Sequence, residues 1–106
     1  MKPRVRLHID FRLDFRRLPD DLVERGAEEW IAALREGVDQ AMRLLTRFPA
    51  AGTRMDKRGK VELRRLIFPK GPYVAWYVVN GRDLWLIRLF HARQRRPRAK
   101  LRRRYR

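Results

Sequence analysis

From Val5 to Phe15 the chain alternates without interruption. Val5, Leu7, Ile9, Phe11, Leu13 and Phe15 share one parity, and Arg6, His8, Asp10, Arg12 and Asp14 share the other. A period of two marks a half-buried β-strand, so the spacing predicts a strand over 5–15 with a solvated face of mixed sign. His8 lies on that polar face, where solvation alone accounts for it. Pro19 and Asp20-Asp21 then read as a turn, an N-cap and acidic residues at a helix start. Beyond them Val23, Ala27, Trp30, Ile31, Leu34, Val38, Ala41, Met42, Leu45 and Phe48 follow a three-to-four-residue spacing. That stripe predicts helix over 20–47, as one helix or as two joined at Gly26 or Gly37, with Trp30 and Met42 in the core.

Pro49-Ala-Ala-Gly52 stops the helical pattern, and Thr53–Lys60 is polar and basic enough to read as an exposed loop. A meander follows: strand over Val61–Phe68, turn over Pro69–Pro72, strand over Tyr73–Val79, and strand over Leu84–Phe90. Asn80-Gly81 reads as the central pair of the tight hairpin turn between the last two strands. The fold class is therefore α+β, in the order β-α(α)-β-β-β. It is one small domain over 1–106, an antiparallel four-stranded sheet with the helical segment packed on one face, and 92–106 is a basic C-terminal tail. Leu101 and Tyr105 give that tail one four-residue step, which suits a short helical turn as well as it suits a flexible end.

Strand alternation says which side chains share a face. Glu62, Arg64 and Leu66 lie on one side of their strand, with Leu63, Arg65 and Ile67 on the other. In the last strand Leu84, Leu86, Arg88 and Phe90 share a face, so Arg88 interrupts an apolar row and needs a partner: Glu62, Asp83 or a phosphate. Tyr73 and Tyr77 point one way along their strand and Trp76 the other, while Trp85 shares a side with Ile87 and Leu89. Core packing accounts for most of these rings; a Tyr on an open face, such as Tyr77, could instead stack on a base. His91 ends the last strand beside Arg93, Arg95 and Arg96, and cations that close favour a neutral imidazole.

Charge sharpens the picture. The 106 residues carry 28 Lys+Arg against 12 Asp+Glu, a formal +16. The last fifteen hold nine of those cations and no acid, leaving 19 cations and the 12 acids on residues 1–91. Such a balance points to a polyanionic partner. Arginine supplies 23 of the cations, which suits bidentate phosphate contacts as well as it suits GC-rich codons. Arg93, Arg95, Arg96, Arg98 and Lys100 in the tail, and Lys57, Arg58 and Lys60 before the meander, are the candidate nucleic-acid contacts. With no cysteine and only His8 and His91, thiolate chemistry and a zinc centre are excluded, and no metal or cofactor is expected. No apolar run approaches the roughly 20 residues of a membrane span, so the expected location is the cytoplasm, away from membranes. P-loop, Rossmann and Ser-His-Asp patterns are lacking.

Glu62-Leu63-Arg64, Tyr73-Val-Ala-Trp-Tyr77, Asn80-Gly81 and Leu86-Ile-Arg88-Leu-Phe-His91-Ala-Arg93 together resemble the RelE/ParE superfamily of bacterial toxins, over residues 49–97. The ending Ala92-Arg93-Gln94-Arg95-Arg96-Pro97 has ParE-like and HigB-like features. The resemblance implies the toxin of a type II toxin–antitoxin module, neutralised by an acidic antitoxin protein. It implies one of two activities: first, RelE-like, metal-independent cutting of mRNA on the ribosome, which is the expected one, and as the alternative ParE-like poisoning of DNA gyrase without a nuclease set. For the first, Arg64 or Arg65 and Arg88 would hold the scissile phosphate, His91 would be the general acid and Glu62 the base. No Tyr follows His91, a departure from the nuclease pattern. A plain basic nucleic-acid-binding module is the third expectation.

Overall fold

The structure is a computed structural model, and it describes residues 3–69 and 72–93. The elements run β1 (Arg4–Leu7), α1 (Ile9–Glu24), α2 (Glu29–Arg47), β2 (Thr53–Arg58), β3 (Val61–Ile67), β4 (Tyr73–Asn80) and β5 (Asp83–His91). The sheet has five strands in the order β1-β5-β4-β3-β2, with β1 parallel to β5 and every other pair antiparallel. The α+β class and the single meander over β3, β4 and β5 agree with the sequence. A four-stranded, wholly antiparallel sheet does not.

The alternating stretch over 5–15 is the largest departure. Only Arg4–Leu7 is strand, and a helix starts at Ile9. Its apolar residues satisfy two periods at once, because Phe11, Phe15, Leu18 and Leu22 also step by four, three and four. Folded as a helix, that row turns inward: Phe11 and Leu18 are buried, with Phe15 and Leu22 packed against them. The leftover parity is exposed, with Ile9 at 58% and Leu13 at 44%. His8 is the N-cap instead of a mid-strand residue, and its Nδ1 accepts from the Asp10 N–H at 3.1 Å. Pro19, Asp20 and Asp21 lie inside α1 and start nothing.

Of the two candidate joints, Gly26 is the break and Gly37 lies within α2. Gly26 adopts φ +67°, donates to the Val23 carbonyl at 3.0 Å, and lets the Ala27 N–H reach back to Leu22 at 2.8 Å. Those two bonds form a Schellman cap, which needs a left-handed residue where α1 ends. The joint leaves Arg25 and Ala27 beside the first turn of α2.

Thr53–Lys60 is not a loop. β2 pairs with β3 through a bulge between Arg54 and Asp56 and closes in the Gly59-Lys60 turn. All six residues of β2 are exposed, so it carries no apolar alternation; a charged, bulged edge strand of this kind resists pairing with other chains. In the β4–β5 hairpin Asn80 pairs with Asp83, so the turn pair is Gly81-Arg82, one residue beyond Asn80-Gly81. Gly81 has φ +60°.

The helices cover one sheet face. Leu34, Val38, Ala41 and Leu45 of α2 join Phe11 and Leu18 of α1 over Tyr73, Ala75, Tyr77, Leu84, Leu86 and Leu89. The other face carries a second apolar cluster of Leu63, Val74, Trp76, Val78, Ile87 and Phe90, with the Trp76 and Phe90 rings edge to face at 5.3 Å. Ile87 and Leu89 belong to opposite clusters because β5 is bulged: Trp76 faces Arg88 while Tyr77 faces Leu86, so Ile87 is an extra residue. The bulge resets the parity and removes Arg88 and Phe90 from the face of Leu84 and Leu86. Among the described residues no helix is long and apolar enough to cross a membrane.

Candidate functional site

The bulge decides where Arg88 goes. β1 stops at Leu7, so the edge of β5 beyond Leu86 meets α1 instead of a strand. Asp14, buried on the inner side of α1, takes the place of the missing strand. Its Oδ2 accepts from the Leu89 N–H at 2.9 Å and from Arg88 Nε at 2.8 Å, and its Oδ1 accepts from Arg88 Nη2 at 3.1 Å. The partner of Arg88 is therefore Asp14, not Glu62 or Asp83.

Glu62 and Arg64 do share a face, and they bind each other. Arg64 donates to Glu62 Oε2 from Nε at 2.8 Å and from Nη2 at 2.7 Å. The Arg64 Nη1 donates to the carbonyls of Gly52 at 2.7 Å and Ala50 at 3.3 Å, clamping the chain that leaves α2. Arg65 is on the opposite face in register with Trp76, and its Nε is buried without a hydrogen-bond partner. Tyr77 is fully buried; its hydroxyl donates to the Pro49 carbonyl at 2.8 Å and accepts from the Gly52 N–H at 2.9 Å. No ring face is left on which a base could stack. Burial raises its pKa, opposed by the Gly52 N–H and Arg64.

His91 lies at the far end of β5, opposite Tyr73, with the two rings edge to face at 5.8 Å. Its Nδ1 accepts the Arg93 N–H at 3.0 Å, which places the proton of the neutral ring on Nε2. Leu22, Arg25, Ala27, Trp30, Pro72, Tyr73 and Arg93 line a cleft of about 340 Å³ with it. Burial lowers the His91 pKa from 6.5, and Arg25 and Arg93 lower it further. Arg25→Ala is therefore expected to move the His91 titration up toward 6.5, but only partway because burial persists; an NMR titration of the imidazole reads this. The unfolded chain takes up this proton near pH 6.5 while the native ring resists it, so His91 subtracts stability as pH falls below 6.5, and the variant shrinks that loss.

The structure brings together Glu62 with Arg64, and His91 with Arg93, but not the two pairs. The Val61–Asn80 pairing puts the β2–β3 turn, with Lys57, Arg58 and Lys60, at one end of the sheet, and the Tyr73–His91 pairing marks the other. Arg95, Arg96, Arg98 and Lys100, like the Leu101 and Tyr105 step, lie outside the described residues. Arg25, Trp30 and Asp14 were missed as partners. Trp30 had one sequence signal: it sits next to Ile31, about 100° around the helix from the row Ile31, Leu34, Val38. It is 43% exposed, unlike the core residue the stripe predicts. Among the described residues no cluster of acids and histidines could hold a metal.

A mixed sheet of this order with a two-helix layer defines a small α+β fold, and two solved structures share it. One is a chromosomal ParDE toxin–antitoxin system from P. aeruginosa, with TM-score 0.67 at 14% identity, covering 85% of this chain and 96% of that one. The other is an archaeal RelE–RelB complex from Pyrococcus horikoshii OT3, with TM-score 0.54 at 18% identity, covering 90% and 100%. No curated protein matches the sequence. The family model for the ParE toxin of the type II toxin–antitoxin system parDE matches residues 5–96, and the chain belongs to that family.

Proposed function

We propose that this ParE-family toxin is held in check by an acidic antitoxin and arrests growth by engaging DNA gyrase, without cutting mRNA. The observation that carries the reading is that the groups an RNA cleavage would need lie in separate places, with Glu62, Arg64 and Arg88 taken up by ion pairs. Such cleavage requires a base, phosphate-binding cations and an acid around one phosphate. Here Glu62 and Arg64 hold each other beside Gly52, Arg88 is held by Asp14 at the β5 edge, and His91 faces the helical joint. The ParE family match supports the same reading. The antitoxin is supported by the solved neighbours, a ParDE toxin–antitoxin system and a RelE–RelB complex, and by the +16 charge, which suits an acidic partner.

The test is induced expression in bacteria with pulse labelling of DNA and protein, primer extension on a reporter mRNA, and a supercoiling assay with purified gyrase. DNA synthesis should stop before translation, with reporter mRNA intact and supercoiling inhibited. His91→Ala should leave these effects in place. A fast halt in translation with new mRNA ends inside codons, abolished by His91→Ala, would replace the gyrase reading with ribosome-dependent cleavage.

A further inference from the structure

We propose that the cleft at the helical joint binds one unstacked nucleotide of a single-stranded nucleic acid, its base against Trp30 and its phosphate between Arg25 and Arg93. Trp30 carries the argument. A large ring at the start of α2, 43% exposed and belonging to neither core cluster, lines a cleft to which Leu22, Ala27, Pro72 and Tyr73 also contribute apolar surface. At about 340 Å³ the cleft lies within the size range of small-ligand sites.

Arg25 and Arg93 are exposed on the same cleft, and neither has an acidic partner among the described residues. Both line the cleft together with Trp30 and His91. An aromatic platform beside unpaired guanidinium groups is the two-part chemistry that holds a single strand: the ring takes a base face, and the cations take the backbone. A duplex keeps its bases stacked and would meet the arginines alone. An acidic peptide would neutralise the arginines and leave Trp30 without a flat partner.

Anisotropy of labelled oligothymidylate and oligouridylate, titrated with the full chain at several salt concentrations, tests the site. A chain of charge +16 attracts any polyanion, so the readout is the difference between variants. Trp30→Ala should weaken binding about tenfold, and Arg25→Ala and Arg93→Ala should each lower the slope of log K against log salt by about 0.7. Trp30→Phe should retain most of the affinity while Trp30→Leu loses it, which keeps the test decisive if the alanine variant folds poorly. Comparing the two oligomers tells whether DNA or RNA is preferred; Trp30 dependence with either supports the site. Equal affinity of wild type, Trp30→Ala and Trp30→Leu would overturn it. So would Trp30-dependent binding of polyglutamate in place of the strands. The inference is separate from the gyrase reading, because strand binding is measured without gyrase and either can fail alone.

Discussion

Asp14→Ala is expected to cost about 3–5 kcal/mol of folding stability, the range for removing one partner of a buried ion pair. The Asp14 side chain is 9% exposed and serves three donors, two on Arg88 and the Leu89 N–H. Without it a guanidinium only 27% exposed loses its counter-charge, and a buried N–H at a sheet edge loses its acceptor. Against the roughly 5–15 kcal/mol of a typical domain, that loss is large. Urea unfolding followed by circular dichroism measures it. A double-mutant cycle with Arg88→Ala should show strong coupling, with the double variant less damaged than the two single losses summed. Additive losses would mean that the pair is not what holds α1 to β5. The same cycle bears on function: toxicity lost in Arg88→Ala and also in Asp14→Asn follows the scaffold, whereas toxicity lost only with the guanidinium marks Arg88 as a contact to the target.

Tyr77→Phe is expected to cost about 2–6 kcal/mol, because two backbone groups would be stranded at about 1–3 kcal/mol each. The hydroxyl ties Pro49 and Gly52 to the centre of the sheet. The fit there admits little relaxation, since a Cβ on Gly52 would lie 2.5 Å from the Arg65 carbonyl oxygen and 2.8 Å from the Tyr77 hydroxyl. Thermal unfolding should show the loss. The Arg64 bond to the Gly52 carbonyl should loosen with it, visible as a shift of the Arg64 Nη1–H resonance in NMR spectra. An unchanged melting temperature would show that water replaces the hydroxyl and that the segment after α2 is held by Arg64 alone.

Much of this architecture is local information. β3, β4 and β5 are β-rich runs bounded by Pro, Gly and Asn, and α2 carries an unambiguous apolar row from Ile31 to Leu45. These elements are legible because burial on a fixed face imposes a period on the chain. The lack of any cysteine was enough to dismiss thiolate chemistry. Family motifs in the second half led to the toxin superfamily that the match over residues 5–96 bears out.

The remainder depended on groups that meet only in three dimensions. Residues 5–15 fit both periods, and the helix prevails beyond Ile9 because Phe11 and Leu18 find a core against β5 and Asp14 finds Arg88, 74 residues away. β2 has no apolar face to announce it, since an exposed edge strand is held by backbone pairing with β3. The β5 bulge exchanged the faces that simple alternation assigned to Arg88 and Leu89. Arg25 and Trp30 reach the His91 cleft because the Gly26 cap turns the chain there. The sequence by itself determined the kind of chain this is, the helix of α2 and the strands β3, β4 and β5, and its cationic character, because periodicity and charge are properties of neighbouring residues. Which arginine is locked in an ion pair and which faces a cleft was decided by the tertiary structure alone, because a charge takes its partner from whatever the fold brings within about 3 Å of it.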